Sequence, residues 1–165
     1  MVWLFSQKNS TSASRLATAL FANGAGLTKK VADDFSVLFG QTVPNSLPKN
    51  GLLVLTEECQ QPPPSSLPKN WLGLCEDCNQ TALSLFQQLN LPVLTCGLCS
   101  KSTVTVSSLQ GNNWIVSLQR GFQDINQNTV EPCEYCIGVK QPISPFIATA
   151  ATAILLYHHI VPKFL

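Results

Sequence analysis

Six of the seven cysteines in this 165-residue chain fall into three C-x-x-C pairs, Cys75 with Cys78, Cys96 with Cys99 and Cys133 with Cys136, and Cys59 stands apart. Two residues between cysteines let both sulfurs converge on one point, which suits tetrahedral zinc, an iron–sulfur cluster or a dithiol that cycles with its disulfide. Seventeen residues separate Cys78 from Cys96, inside the C-x2-C-x15–20-C-x2-C spacing of a structural zinc site. Four thiolates at Cys75, Cys78, Cys96 and Cys99 would close the coordination sphere of zinc or hold a four-iron cluster, and Cys133 with Cys136 would replace either pair or act separately. The competing reading treats these cysteines as small, buried apolar residues. Gly97 favours a knuckle-like turn, whereas the helix and strand expected between the two pairs disfavour a zinc ribbon.

Other constellations are sparse. The acidic pairs Glu57/Glu58 and Glu76/Asp77 read as solvated loop carboxylates, with a subsidiary role in binding a cation. No nucleophile has a base in motif context, because the two histidines, His158 and His159, stand together near the end of the chain.

Composition sets the frame. A hydrophobic share of 45% over 165 residues is enough for one domain, 1–165, with a sizeable core, and the charged share of 12% is about half the usual one. The net charge of +1, from 10 basic and 9 acidic residues with no basic run, lacks the footprint of a nucleic-acid binder. The apolar run Val2-Trp3-Leu4-Phe5 is too short for a signal peptide, so the expectation is a cytoplasmic protein with reduced thiols. Cysteine pairs then read as metal or redox groups before structural disulfides, and the sequons at Asn9 and Asn79 as chance matches.

The elements that must position these residues alternate. Residues 2 to 5 predict a strand, and Ala13, Leu16, Ala17 and Leu20 a helix after the polar loop 6–11. Val31, Phe35, Leu38 and Phe39 predict a second helix with Asp33 and Asp34 on its solvated side, set off from the first by Gly24 and Gly26. Leu52–Leu55 predicts a buried strand, Pro62–Ser66 an exposed loop, residues 79 to 90 a helix, and Pro92–Thr95 another strand. Thr103–Ser107 and Trp114–Leu118 predict a hairpin turning at Gly111-Asn112-Asn113. Phe146–Val161 predicts a buried final helix, its run of about 16 apolar residues falling short of the roughly 20 that span a bilayer. Its Ala148, Ala150, Ala151 and Ala153 can press closely on a sheet, and His158 and His159 sit in its last turn, where a cation suits the helix dipole.

This pattern predicts an α/β, three-layer fold with a mostly parallel sheet flanked by helices and a C-terminal antiparallel hairpin extension. Loops leaving strand C-terminal ends share one edge, where ligands bind. Cys59, Cys75, Cys78, Cys96 and Cys99 are expected along it, and Cys133 and Cys136 in the loop before the last helix. The segment Ser46-Leu47-Pro48-Lys49-Asn50 recurs as Ser66-Leu67-Pro68-Lys69-Asn70, each copy ahead of an apolar stretch and an acidic pair beside cysteine. Two copies are too few for a stacked repeat.

Val2–Ser12 followed by Ser14-Arg15-Leu16-Ala17 resembles the strand, phosphate loop and helix that open the central ATP-binding domain of the Mur ligases, whose loop reads roughly G-T-N-G-K-T-T. Leu53–Cys59 resembles their strand ending in N-A-D-D-P, Pro92–Leu98 the strand ending in F-G, and Ser144–Leu155 the H-N-x-x-N motif with its Ala-rich helix. The resemblance implies a phosphate loop at Lys8, Asn9, Ser10 and Thr11. In this chain, Ser6 and Asn9 replace both loop glycines and Ser10 the lysine, while Thr11 and Ser12 keep hydroxyls and Lys8 is displaced by two positions. Ser144, Pro145 and Ala148 replace the His and Asn residues of the last motif. A working loop needs those glycines and that lysine to hold phosphates, so the resemblance implies a domain that has lost ATP chemistry. Ser10 or Thr11 near an ordinary helix N-cap accounts for the same residues.

The functional expectation is therefore a noncatalytic binding or assembly module, acting through a protein partner or as a homo-oligomer, with no membrane or nucleic-acid partner. The alternative is a cysteine-ligated zinc, iron–sulfur or dithiol redox protein. Residual nucleotide binding at residues 6 to 12 is a third reading.

Overall fold

The run Val2–Phe5 has no polar alternation, and a strand of that kind needs cover on both faces. It forms β1 (Val2–Phe5), with all four residues buried. The computed structural model describes residues 1–5, 10–22, 37–39, 47–56, 67–140 and 142–165. After β1 come α1 (Thr11–Ala22), β2 (Val37–Phe39), β3 (Asn50–Leu55), β4 (Asn70–Glu76), α2 (Gln80–Gln88), β5 (Val93–Gly97) and β6 (Val104–Gln110). The chain continues through β7 (Asn113–Leu118), β8 (Phe122–Gln123), β9 (Thr129–Val130), β10 (Cys133–Gly138) and α3 (Pro145–Tyr157). The main sheet has eight strands in the order β10-β7-β6-β5-β4-β3-β1-β2, and β8 and β9 pair in a small second sheet. Strands β1 to β6 pair in parallel, while β7 is antiparallel to both β6 and β10. The expected α/β class and antiparallel hairpin are both present.

Alternation along the strands builds two cores on opposite faces. Val2, Leu4, Leu52, Val54, Leu74 and Cys96 join a cluster with α1 and α3, whereas Trp3, Phe5, Leu53, Leu55, Trp71 and Cys75 join one with Ala82 and Phe86 of α2. Each fully buried leucine contributes about 1.5–3 kcal/mol relative to exposure. Register matches bulk to space across β3 and β4, pairing Gly51 with Trp71 and Leu53 with Gly73. A Cβ on Gly51 would stand 2.7 Å from the Trp71 ring, and one on Gly73 2.7 Å from the Phe86 ring. Those glycines are where the aromatic rings seat.

Helix α3 is apolar all round and buried from Phe146 to Tyr157, as such a helix must be. Its two threonines give their hydroxyls to the preceding turn, Thr149 to the Pro145 carbonyl and Thr152 to that of Ala148, both at 2.8 Å. Those two hydroxyls need no water, whereas the buried Tyr157 hydroxyl has no hydrogen-bond partner among the described residues. Among the described residues no helix is long and apolar enough to cross a membrane. Thr149 lies beside Cys96 at the end of β5, and the Tyr157 carbonyl accepts from Ile125 N–H, whose own carbonyl accepts from Asn50 at the start of β3. Helix α3 thus runs antiparallel to the parallel strands, its N-terminus at their C-terminal edge.

Several expectations change. Leu38 and Phe39 belong to β2 beside β1, not to a helix, because a second parallel partner covers the edge of β1 that β3 leaves open; Val31, Asp33, Asp34, Phe35, Gly24 and Gly26 lie outside the described residues. Residues 70–76 form the buried strand β4, an element the sequence pattern does not predict. Cys133 and Cys136 are in edge strand β10, not a loop. The final helix ends at Tyr157, four residues before Val161, because His159 takes a left-handed φ of 60°. The Pro62–Ser66 loop lies outside the described residues.

Candidate functional site

The strand C-terminal edge is where the sequence places its chemistry. Ser10 ends the turn into α1: its Oγ accepts the Ala13 N–H at 3.1 Å and its carbonyl accepts Ser14 N–H at 3.2 Å. That is an N-cap geometry, with Ser10 buried and Thr11 exposed. Lys8 and Asn9 lie outside the described residues. The start of α3 is closed in the same way, with Ser144 Oγ accepting Ile147 N–H at 3.2 Å and Pro145 in the first turn. Ser10 and Ser144 are thus both helix caps.

The cysteines do not converge. Register sets Cys75 opposite Thr95 and Glu76 opposite Cys96, so Cys75 and Cys96 point to opposite faces. Each is 0% exposed in a different core cluster. Cys78 and Cys99 are exposed in the loops beyond. Cys133 and Cys136 are exposed on β10, opposite Leu118 and Ile115, and a separation of three on a strand sends their side chains to opposite faces. Among the described residues no group of three or more His, Cys, Asp or Glu side chains could hold a metal ion. Cys75 and Cys96, two of the four thiols expected to share zinc or an iron–sulfur cluster, thus lie on opposite faces of the sheet. Cys59 lies outside the described residues.

Electrostatics adds to the geometry. Burial, followed by the nearby Asp77, Cys78 and Glu76 charges, pushes the Cys75 thiol up to about 12. Burial holds the Cys96 thiol well above its ordinary value, with Cys75 adding to the effect and the Thr149 hydroxyl opposing it. Desolvation and then Glu76 raise Cys78 as well. The thiolate is the form that ligates metals and attacks disulfides, and this edge disfavours it.

The Glu76/Asp77 pair is not merely solvated. Asp77 Oδ2 accepts the Cys99 N–H at 3.0 Å and the Ser102 hydroxyl at 2.7 Å, and its own N–H donates to the Cys96 carbonyl at 2.9 Å. It staples the loop after β4 to the loop after β5. Gly97, with φ at +156°, sits where a Cβ would stand 2.4 Å from Asp77 Oδ2, so glycine there serves the staple and not a metal knuckle. Asn79 caps α2 by accepting Ala82 N–H at 3.0 Å. Glu57 and Glu58 lie outside the described residues.

His158 is not a cationic end to the helix. His158 is buried, and burial first, with the amino terminus and His159 adding positive charge, lowers it to about 3. His159 Nε2 stands 2.9 Å from Oδ2 of Asp124, which is 1% exposed. Asp124 Oδ1 accepts Asn126 and Asn128 N–H at 2.7 and 2.9 Å. Sequence reasoning missed Asp124, although Asp124-Ile-Asn126-Gln-Asn128 has the composition of a turn closed by its own carboxylate. No protein family and no curated protein matches this sequence.

Proposed function

We propose that the chain is a noncatalytic binding or assembly module, built in three layers like the central domain of the Mur ligases and working through a protein partner or a second copy of itself. The observation that carries this reading is Ser10. At the position where the resemblance puts the phosphate-loop lysine, a serine turns back to cap its own helix through Ala13 N–H at 3.1 Å. Among the described residues, Ser10 therefore brings neither a cation nor a free side chain of the kind phosphoryl transfer requires to the α1 terminus. Supporting it are the order of β1, α1 and β3, the antiparallel pair β6 and β7, and the closing Ala-rich helix α3 with its own serine cap. The thiols, separated between two faces, serve packing in this reading.

Thermal unfolding with and without millimolar Mg–ATP tests it. A ligand that binds only the folded state at one hundred times its Kd stabilises by about 2.7 kcal/mol. The expected result is an unchanged midpoint; a rise of several degrees that depends on magnesium would overturn the reading.

A further inference from the structure

The opposite edge of the sheet carries chemistry of its own. The two copies of Leu-Pro-Lys-Asn, 47–50 and 67–70, lead into neighbouring parallel strands in register, Asn50 beside Asn70. Asn70 Nδ2 donates to Asn50 Oδ1 at 3.2 Å, and Asn50 Nδ2 to the Ile125 carbonyl at 2.7 Å. This amide chain fixes the β8–β9 lobe against the strand starts. Between lobe and strands lies a cavity of about 110 Å³, walled by Trp71, Leu72 and Pro92 and edged by Lys69, Asn70, Gln123 and Gln127. That volume admits several waters or one compact ion.

Lys69 is the one charged side chain among the described residues that line this cavity. Among the described residues no carboxylate lines it; Asp124, in the turn between β8 and β9, is 1% exposed and committed to His159, Asn126 and Asn128. The Lys69 ammonium and the Gln127 amide make no side-chain hydrogen bond or ion pair among the described residues, whereas Gln123 Nε2 is held by Thr129 Oγ1 at 3.1 Å. Lys49, exposed like Lys69, precedes Asn50 as Lys69 precedes Asn70, so a second lysine stands at the start of the neighbouring strand, whose backbone lies about 4.8 Å away. Cations at neighbouring strand starts repel each other, and a bound anion relieves that repulsion.

We propose that this cavity is a small-oxyanion site, taking a free phosphate or the carboxylate of a compact acid, with Lys69 supplying charge, Gln127 a hydrogen-bond donor and Trp71 with Pro92 a wall against water. The site is independent of the Mur-like reading, since it lies at the other end of the strands.

Side-chain amide NMR of the ¹⁵N-labelled full chain tests it, titrated in separate arms with inorganic phosphate, acetate and chloride at matched ionic strength. The expected result is a joint, saturable shift of the Asn70, Gln123 and Gln127 amides, with the arm that saturates at lower concentration identifying the oxyanion. Lys69→Gln should weaken it at least tenfold, Lys69→Arg should retain it, and Lys101→Gln, at the far edge, should leave it unchanged. Because Lys69 is exposed, loss in Lys69→Gln with a native spectrum reads as loss of the site. Shifts that stay linear, that chloride reproduces, or that persist in Lys69→Gln would overturn the proposal.

Discussion

His158 makes the stability of this fold depend on pH in a way that one substitution isolates. Its imidazole is buried at the end of α3 and lowered from 6.5 to about 3. Between those values the unfolded chain binds a proton there and the folded chain does not, so stability present above pH 6.5 is lost as pH falls. At about 1.4 kcal/mol per pH unit, the site should remove about 2 kcal/mol between pH 7 and pH 5 and at most about 5 by pH 3. His158→Phe keeps a ring for the edge-to-face contact with Tyr157, now at 5.2 Å and 85°, and has nothing to titrate. Urea unfolding at pH 7, 6 and 5 should give the variant a slope shallower by that 2 kcal/mol, whatever its stability at pH 7. Parallel pH dependences, or a His158 ring that titrates near 6.5 by NMR, would refute the reasoning.

Other expectations follow from packing and hydrogen bonding. Gly73→Ala drives a Cβ to 2.7 Å from the Phe86 ring, so urea unfolding should show a loss of about 1–3 kcal/mol, recovered in part by Phe86→Leu. Asp77→Ala leaves the buried Ser102 hydroxyl without its 2.7 Å acceptor and should cost about 1–3 kcal/mol; adding Ser102→Ala should recover part of that. Alkylation of native protein mapped by mass spectrometry should label Cys78, Cys99, Cys133 and Cys136 first and spare Cys75 and Cys96, which are 0% exposed; equal labelling of all six would contradict the core assignment.

Apolar runs were legible in the sequence. Val2–Phe5, Leu52–Leu55 and Trp114–Leu118 lie in strands, and Ala13, Leu16, Ala17 and Leu20 fall on the buried stripe of α1. Strand β4 was hidden because Gly73 and Cys75 interrupt its pattern, and glycine is tolerated there only because Phe86 fills the gap. The repeated Leu-Pro-Lys-Asn was the overlooked signal, since both copies introduce strands in the same register. Short β2 was mistaken for helix because Leu38 and Phe39 fit a 3.6-residue period as well as a strand. The cysteine spacing misled for a related reason. C-x-x-C gathers sulfurs in a turn, but here Cys75 and Cys96 sit inside neighbouring strands, whose register sends them to opposite faces. Asp77 and Asp124 carry their meaning in hydrogen bonds to residues far along the chain or in a turn, and spacing alone does not encode those.

The most direct test of the central claim is the backbone amide spectrum of the α1 terminus under titration with Mg–ATP. A helix start already capped by Ser10 should leave the Thr11, Ser12 and Ala13 amides unmoved to millimolar nucleotide. Saturable shifts at those three amides, dependent on magnesium and lost in Thr11→Val, would contradict the account and restore the edge as a nucleotide site.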